Sequence, residues 1–273
     1  MGHPLLQGGR PQAGHTEGDC RRRAHPVRCR PHHYRLVKQF ICPQFTAIKL
    51  KAVIVFSGGM DSVCMAAHLK KRYDLYGITF AYGQKAGREL EAARYFSKAL
   101  KFREHRVVDI GFMKSLYEKT NALTCGNKPI PSKFDYSIVV PIRNAVFLTI
   151  ASAWAFSKGA GLVAYGAHKD DRQYPDCRPR FSRMLEGAIN EGESDGIRSG
   201  MRRKVAIWSP YAANLSKSSL LKIGHGLLGD EIFRTWSCYS QSRMQCGRCE
   251  SCNNRRRAFA EAGMADRTRY RFP

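Results

Sequence analysis

The sequence predicts an α/β fold, a doubly wound parallel sheet followed by a cysteine-bearing C-terminal segment. Three observations carry that prediction. From Lys51 onward short apolar runs alternate with stretches of helical period; the first of these runs ends in a glycine-rich turn that opens a helix; and four cysteines gather between residues 238 and 252. Alternating strand and helix signals are the pattern of a parallel sheet covered on both faces.

Taken in order, Ala52 to Phe56 is an apolar run short enough for a buried strand, and Ser62 to Lys71 follows it as a helix. Leu75 to Ala81 reads as a second strand. Gly87 to Leu100 is a helix whose Leu90, Ala93, Tyr95, Phe96 and Leu100 form an apolar face. His105 to Ile110 is a third strand. Residues 119–140 contain Pro129 and Pro131 with little periodicity, which suits a loop over an active site. Arg143 to Ser157 is a helix, Leu162 to Tyr165 a fourth strand, Pro179 to Asn190 a helix, Val205 to Ile207 a short strand, and Ser216 to Leu227 a last long helix. The expected organisation is a basic, disordered extension over 1–50, a nucleotide-binding α/β domain over 51–230, and a four-cysteine segment and tail over 231–273.

The extension stands apart in composition. It holds nine Lys or Arg against two acids, the run Arg21-Arg22-Arg23 and five of the nine histidines, without strand or helix periodicity until about Leu36. Cys20, Cys29 and Cys42 with His25, His32 and His33 match no tight metal-ligand spacing. The net charge of +24 is otherwise scattered rather than gathered into a stripe, so it points to a solvated surface or a general attraction for anions before dedicated nucleic-acid binding. With 43% apolar residues a chain of 273 can bury a continuous core without disulfides. No run of eighteen apolar residues and no secretory leader is visible, so a soluble, cytoplasmic protein with reduced thiols and no membrane partner is expected.

The first strand runs into Phe56-Ser57-Gly58-Gly59-Met60-Asp61-Ser62-Val63. Two glycines let the backbone turn sharply and bring its N–H groups to phosphate oxygens, and the next helix offers its positive N-terminal end to the same anion. Ser57 and Ser62 supply hydroxyls, and Asp61 a carboxylate suited to magnesium bound with ATP. These eight residues are the candidate ATP-binding loop. The Lys-Ser/Thr ending of the kinase and GTPase phosphate loop is absent from the sequence. Cleavage between the α and β phosphates, giving AMP and pyrophosphate, is therefore expected.

Cys238, Cys246, Cys249 and Cys252 form the second constellation, with gaps of seven, two and two residues. Four thiolates satisfy tetrahedral zinc and leave no position for water, so the expected site is structural. An iron–sulfur cluster uses the same ligands. Arg248 and Arg255 to Arg257 are expected to soften the charge of the centre.

Together these segments resemble the 7-cyano-7-deazaguanine synthases, of the pyrophosphate-loop ATPase superfamily, from about Lys51 to Asp266. Besides the loop and the cysteines, the resemblance rests on Tyr82-Gly83-Gln84, Glu89-Leu90-Glu91-Ala92-Ala93, Val140-Pro141-Ile142-Arg143-Asn144, Tyr174-Pro175-Asp176-Cys177-Arg178, Leu215-Ser216-Lys217 and Thr235-Trp236-Ser237-Cys238-Tyr239. It implies a Rossmann-like sheet of the adenine nucleotide alpha hydrolase-like kind. It also implies adenylation of 7-carboxy-7-deazaguanine, capture by ammonia as an amide, and a second adenylation that leaves a nitrile. The sequence departs from the family at Met60, where Gln is common, and at Asp171-Arg172-Gln173 in place of Tyr, Ser and Gly. Met60 is expected to point away from the phosphates.

Candidate roles follow for single residues. Asp61, Ser62, Arg143 and Lys217 are the expected catalytic set, Arg143 and Lys217 pairing with phosphate or carboxylate, although either would also suit a surface or structural contact. Asp176 and Arg178, with Tyr174, follow the fourth strand at the edge where such sheets bind ligands; the alternative for the charged pair is a mutual surface ion pair. Cys177 is expected to be structural. Relatives tend to dimerise, so a homodimer is expected, and nucleic acid is not required. Two rivals stay open at this point: an enzyme adenylating a tRNA base for thiolation, for which Cys64 and Cys125 are the candidate thiols, and a zinc-containing nucleic-acid-binding module.

Overall fold

The computed structural model describes residues 49–272 apart from 86, 118, 119, 126, 127 and 241. Except for its last two residues the expected N-terminal extension, with Cys20, Cys29 and Cys42, lies outside the described residues. Five strands, β1 (Leu50–Val55), β2 (Tyr73–Ala81), β3 (Glu104–Asp109), β4 (Leu162–Ala164) and β5 (Ala206–Trp208), form one sheet in the order β3-β2-β1-β4-β5. Every pairing is parallel, with Ile54 of β1 set between Gly77 of β2 and Ala164 of β4. The chain builds outward from β1 to β3, then returns to the other side of β1. That reversal opens a crevice between the carboxyl ends of β1 and β4, the place where doubly wound sheets bind ligands.

The helices are α1 (Met60–Leu69), α2 (Arg88–Ala99), α3 (Met113–Tyr117), α4 (Arg143–Lys158), α5 (Pro179–Gly192), α6 (Ser194–Arg198), α7 (Lys217–Leu228) and α8 (Glu250–Glu261). Alternation along β1 divides the core. Ala52, Ile54 and Phe56 pack with Val63, Ala66, Ala93 and Phe96 of α1 and α2, whereas Val53 faces Phe147, Leu148, Ala151 and Trp154 of α4. Residues 136–158 have the length and mean hydropathy, 1.5, of a membrane span. Their apolar residues include this buried face of α4, which is what a core helix needs.

Every expected strand and long helix is present, with ends shifted by one or two residues. One shift matters: α1 starts at Met60 rather than Ser62, which puts Asp61 and Ser62 inside its first turn. Tyr95, expected on the apolar face of α2, is 38% exposed and donates its hydroxyl to Glu231, while Ala93, Phe96 and Leu100 are buried. The short α3 and α6 and the longer α8 were not expected. In α8 polar residues interrupt the apolar period, and its core anchors are Cys252, Ala258, Phe259 and a wholly buried Arg255. Arg255 donates to the carbonyls of Ile232 and Thr235 and to the hydroxyls of Thr235, Ser237 and Thr268, so it serves as a clamp for the segment before the cysteines.

Helices α1 and α7 meet so closely that a Cβ at Gly224 would stand 2.2 Å from Cys64 Sγ. Gly226, one residue beyond its neighbour on the same helix, has open space. We therefore expect Gly224→Ala to destabilise the fold by about 1–3 kcal/mol through overpacking, and Gly226→Ala to stabilise it by up to about 1 kcal/mol through helix propensity. Denaturation midpoints of the two variants test the opposite signs.

Candidate active site

The pyrophosphate-type loop lies at the carboxyl end of β1. Gly58 takes φ +77°, and a Cβ there would meet Ala93 N at 2.4 Å and Glu89 O at 2.8 Å, so only glycine lets the loop lie against the first turns of α2. Ser57 Oγ accepts from Gly59 N at 3.2 Å and lies 3.2 Å from Ser62 Oγ, which donates to Gly59 O at 3.0 Å. The carbonyl of Gly58 accepts from Trp236 N, tying the loop to the cysteine segment. Phe56, Met60 and Val63 are buried in the core, so those three loop positions hold the turn in place by packing, Met60 in a cluster with Leu220, Leu221 and Phe259, while Phe56 and Met60 also border the cavity beside the loop.

A cavity of about 250 Å³ opens beside the loop. Asp61 and Lys217, 156 residues apart, meet on its wall: Lys217 Nζ donates to Asp61 Oδ2 at 2.8 Å. His168, only 3% exposed, brings Nε2 to 3.7 Å from Asp61 Oδ1 and Nδ1 to 3.5 Å from Asp171 Oδ2. Burial pushes the Asp61 carboxyl up, but Lys217 and then His168 outweigh it and hold the group below the usual carboxylate range. Burial likewise works against the Lys217 charge, and Asp61 and Asp171 raise its pKa above the ordinary value. Asp61 Oδ1 and His168 Nδ1 are buried with no hydrogen-bond partner among the described residues. An unsatisfied carboxylate oxygen beside a phosphate-type loop is the kind of donor a magnesium ion bound with a nucleotide takes.

Arg143 begins α4 and reaches the same cavity, its guanidinium 3.5 Å from the Tyr82 hydroxyl and 5.9 Å from that ring's centre. The residue before it, Ile142, has φ +48°, a strained conformation for a β-branched side chain. Asp176 helps hold this start in place, since its Oδ2 accepts from Asn144 N at 3.2 Å and its carbonyl from Asn144 Nδ2. Asp176 thus faces the end of α4 rather than the cavity. Arg178 is exposed and donates to the Arg172 carbonyl at 2.8 Å, without the ion pair considered for it. Tyr174 does line the cavity, with its ring edge-on to Phe134. Cys177 is buried there and accepts from Asn144 Nδ2, and burial keeps its thiol well above the ordinary value, in keeping with a structural thiol. Cys64 is packed between α1 and α7, and burial raises its thiol likewise, which removes it as a reactive sulfur.

Several cavity residues carry no individual role from sequence reasoning. Glu89, Tyr82 and Tyr239 lay in resembling segments but showed no chemistry of their own; Asp171 looked like a departure; His168 was not singled out; and Glu250 was hidden among the cysteines. The family segments were the one signal that could have found the first three.

The four cysteine sulfurs lie within 4.8 Å of one another, with Cys246 and Cys252 3.9 Å apart and Cys238 and Cys249 4.0 Å apart. A tetrahedral zinc with Zn–S bonds of about 2.3 Å needs sulfurs about 3.8 Å apart, so the donor set fits. Backbone N–H groups of Ser240, Cys246, Arg248 and Cys249 point at these sulfurs from 3.2–3.4 Å. Peptide dipoles thus bear directly on the sulfurs, while of the nearby arginines Arg255 is held in its clamp, Arg248 lies over Phe272 at 3.7 Å, and Arg256 over Tyr270 at 4.2 Å. The centre also anchors the long loop, because Pro131 O accepts from Glu250 N and Ser132 O from Asn253 Nδ2.

Fold and site together define a pyrophosphate-loop α/β protein whose loop-side cavity is walled on one side by Trp236, Tyr239 and Glu250 of the four-cysteine segment. The model of the family described as "Queuosine biosynthesis protein QueC" matches residues 51–263. The 7-cyano-7-deazaguanine synthase of Caldicellulosiruptor saccharolyticus is 38% identical over 81% of this chain and 96% of that protein. Those of Marinomonas sp. and Thermoplasma volcanium are each 37% identical over 81% of this chain, covering 98% and 90% of their own lengths. The chain belongs to the QueC family.

Proposed function

We propose that the chain makes 7-cyano-7-deazaguanine from 7-carboxy-7-deazaguanine and ammonia, using two ATP and releasing two AMP and two pyrophosphate. The observation that carries this reading is the convergence, in one cavity, of the Ser57–Ser62 loop, the Asp61–Lys217 pair and Arg143 against the cysteine segment. A carboxylate oxygen and an amide oxygen are both poor leaving groups, and transfer to an adenylyl group turns each into a good one. The substrate carboxylate attacks the α phosphorus of ATP and the bond to the β-phosphate oxygen breaks. Ammonia adds to the acyl carbon and AMP departs, leaving the amide. The amide oxygen attacks a second ATP in the same way, and loss of AMP with two protons from nitrogen gives the nitrile.

Gly59 and the first turn of α1 offer N–H groups to the phosphates, and Ser57 and Ser62 offer hydroxyls. Lys217 and Arg143 bear on the charge that develops at the α phosphate and the substrate carboxylate. Magnesium held with ATP at Asp61 would neutralise the polyphosphate. Tyr174 forms part of the wall for the base, while Asp176 acts by positioning Arg143 rather than by touching substrate. Cys238, Cys246, Cys249 and Cys252 hold a structural zinc that shapes the cavity. A cytoplasmic homodimer is part of the same reading.

The test is release of AMP and pyrophosphate by zinc-replete protein given ATP, magnesium, ammonium and 7-carboxy-7-deazaguanine, with mass spectrometry of the base. Nitrile formation dependent on all four supports the proposal. Absence of AMP release with that acid overturns it.

A further inference from the structure

Four carboxylates line the cavity system: Asp61, Glu89, Asp171 and Glu250. Three are engaged. Asp61 pairs with Lys217, Asp171 Oδ2 accepts from His168 N at 3.0 Å, and Glu250 accepts from Asn254 Nδ2. Among the described residues, the Glu89 carboxylate has no hydrogen bond or close ion pair. It sits in the first turn of α2, the turn whose backbone touches Gly58, and so it stands at the loop end of the cavity where the adenylate forms. Arg143 of α4, Tyr82 beyond β2 and Tyr239 of the cysteine segment line the same cavity and act on it electrostatically, as does the charge of Cys238 behind the wall. Burial, against the attraction of Arg143, pushes its carboxyl above the usual carboxylate range.

The reaction proposed above needs a nitrogen lone pair, and at neutral pH dissolved ammonia is almost all ammonium, which has none. We propose, resting on that reading, that Glu89 is the base that binds ammonium and removes one proton beside the adenylated substrate. The carboxylate on the cavity wall supplies the counter-charge for a small cation. The nearby positive charge of Arg143 favours neutral ammonia over ammonium once the proton can leave. In the step, one N–H bond of ammonium breaks and its proton forms the Glu89 O–H; the freed lone pair bonds to the acyl carbon; the carbon–oxygen bond to AMP breaks with its electron pair on the phosphate oxygen. The new C–NH3 group loses a proton to solvent to give the amide, and Glu89 returns its own proton to solvent.

The experiment compares wild type with Glu89→Gln in amide formation against ammonium concentration and pH, beside acid-dependent ATP–pyrophosphate exchange, which precedes entry of nitrogen. In Glu89→Gln, kcat/KM for ammonium at neutral pH falls about 100-fold or more, far more than exchange does. The deficit shrinks at alkaline pH as free ammonia accumulates. Hydroxylamine, which is neutral at the assay pH, is used by both proteins at similar rates. Glu89→Asp, which keeps a carboxylate, retains part of the ammonium activity and serves if the Gln variant folds poorly. An ammonium profile in Glu89→Gln equal to wild type overturns the assignment, and so does an equal loss with hydroxylamine, which a merely structural helix-end carboxylate would produce. Failure of wild-type exchange with 7-carboxy-7-deazaguanine would instead overturn the proposed function and leave Glu89 without this reaction.

Discussion

Asp61→Asn is expected to lower acid-dependent ATP–pyrophosphate exchange by about 100- to 1,000-fold, a loss of the size seen when a preorganised charge or donor is removed from a developing anion. Asp61 occupies the first turn of α1 directly after the glycine pair, and its Oδ1 is the one loop carboxylate oxygen left without a partner. The same substitution strands Lys217, whose side chain is only 11% exposed and whose charge Asp61 answers at 2.8 Å. Removing one member of such a buried pair costs about 3–5 kcal/mol, more than the pair itself contributes. Asp61→Asn should therefore melt lower than wild type, and Asp61→Asn with Lys217→Met should be less destabilised than the two single changes summed. Thermal melting and isotope exchange on the four proteins check both parts. A stable Asp61→Asn protein with exchange within tenfold of wild type would remove Asp61 from the chemistry.

Cys252→Ser, or stripping of the metal by a chelator, should have the largest effect on folding. Apparent binding free energies of structural zinc run to about 10–16 kcal/mol, as large as the whole stability of an ordinary domain, about 5–15 kcal/mol. Cys252 lies in α8, wholly buried, between Glu250 and Arg255. Losing it should release the segment that carries Trp236, Tyr239 and Glu250 into the cavity wall, along with the Pro131–Ser132 anchor of the long loop. The expected readouts are less than one bound zinc per chain, a strongly lowered melting temperature and no turnover. Cys177→Ser, outside the cluster, should keep its zinc. An active, folded chain free of metal would overturn the structural role given to the centre.

Much of this site was legible before any coordinates because its strongest parts are contiguous. Residues 56–63 carry turn, hydroxyls and carboxylate in one stretch, and the cysteine spacing by itself states a tetrahedral site. Strand and helix boundaries were legible for the same reason, since period-two and period-3.6 patterns are local. Helix α8 was not, because its apolar period is broken by Asn253, Asn254 and three arginines; Arg255 is tolerated inside only because the Ile232–Ser237 stretch folds back to accept its N–H groups. Asp176 and Arg178 show the converse. Their place after the fourth strand suits ligand binding, yet one faces the end of α4 and the other solvent, and nothing in a tripeptide of sequence tells which way its side chains turn.

By itself the sequence determined the sheet, the nucleotide loop, the four-thiol centre and the family resemblance, since each is written in neighbouring residues. The tertiary structure decided which charges share the cavity. Lys217 reaches Asp61 because α7 packs on α1, His168 stands between Asp61 and Asp171, and Glu89, on the turn of α2 that lies against Gly58, has no hydrogen-bond partner among the described residues. The reason is physical: the energy of a charge depends on its burial and on partners within a few ångströms, and those are set by long-range packing rather than by adjacency along the chain.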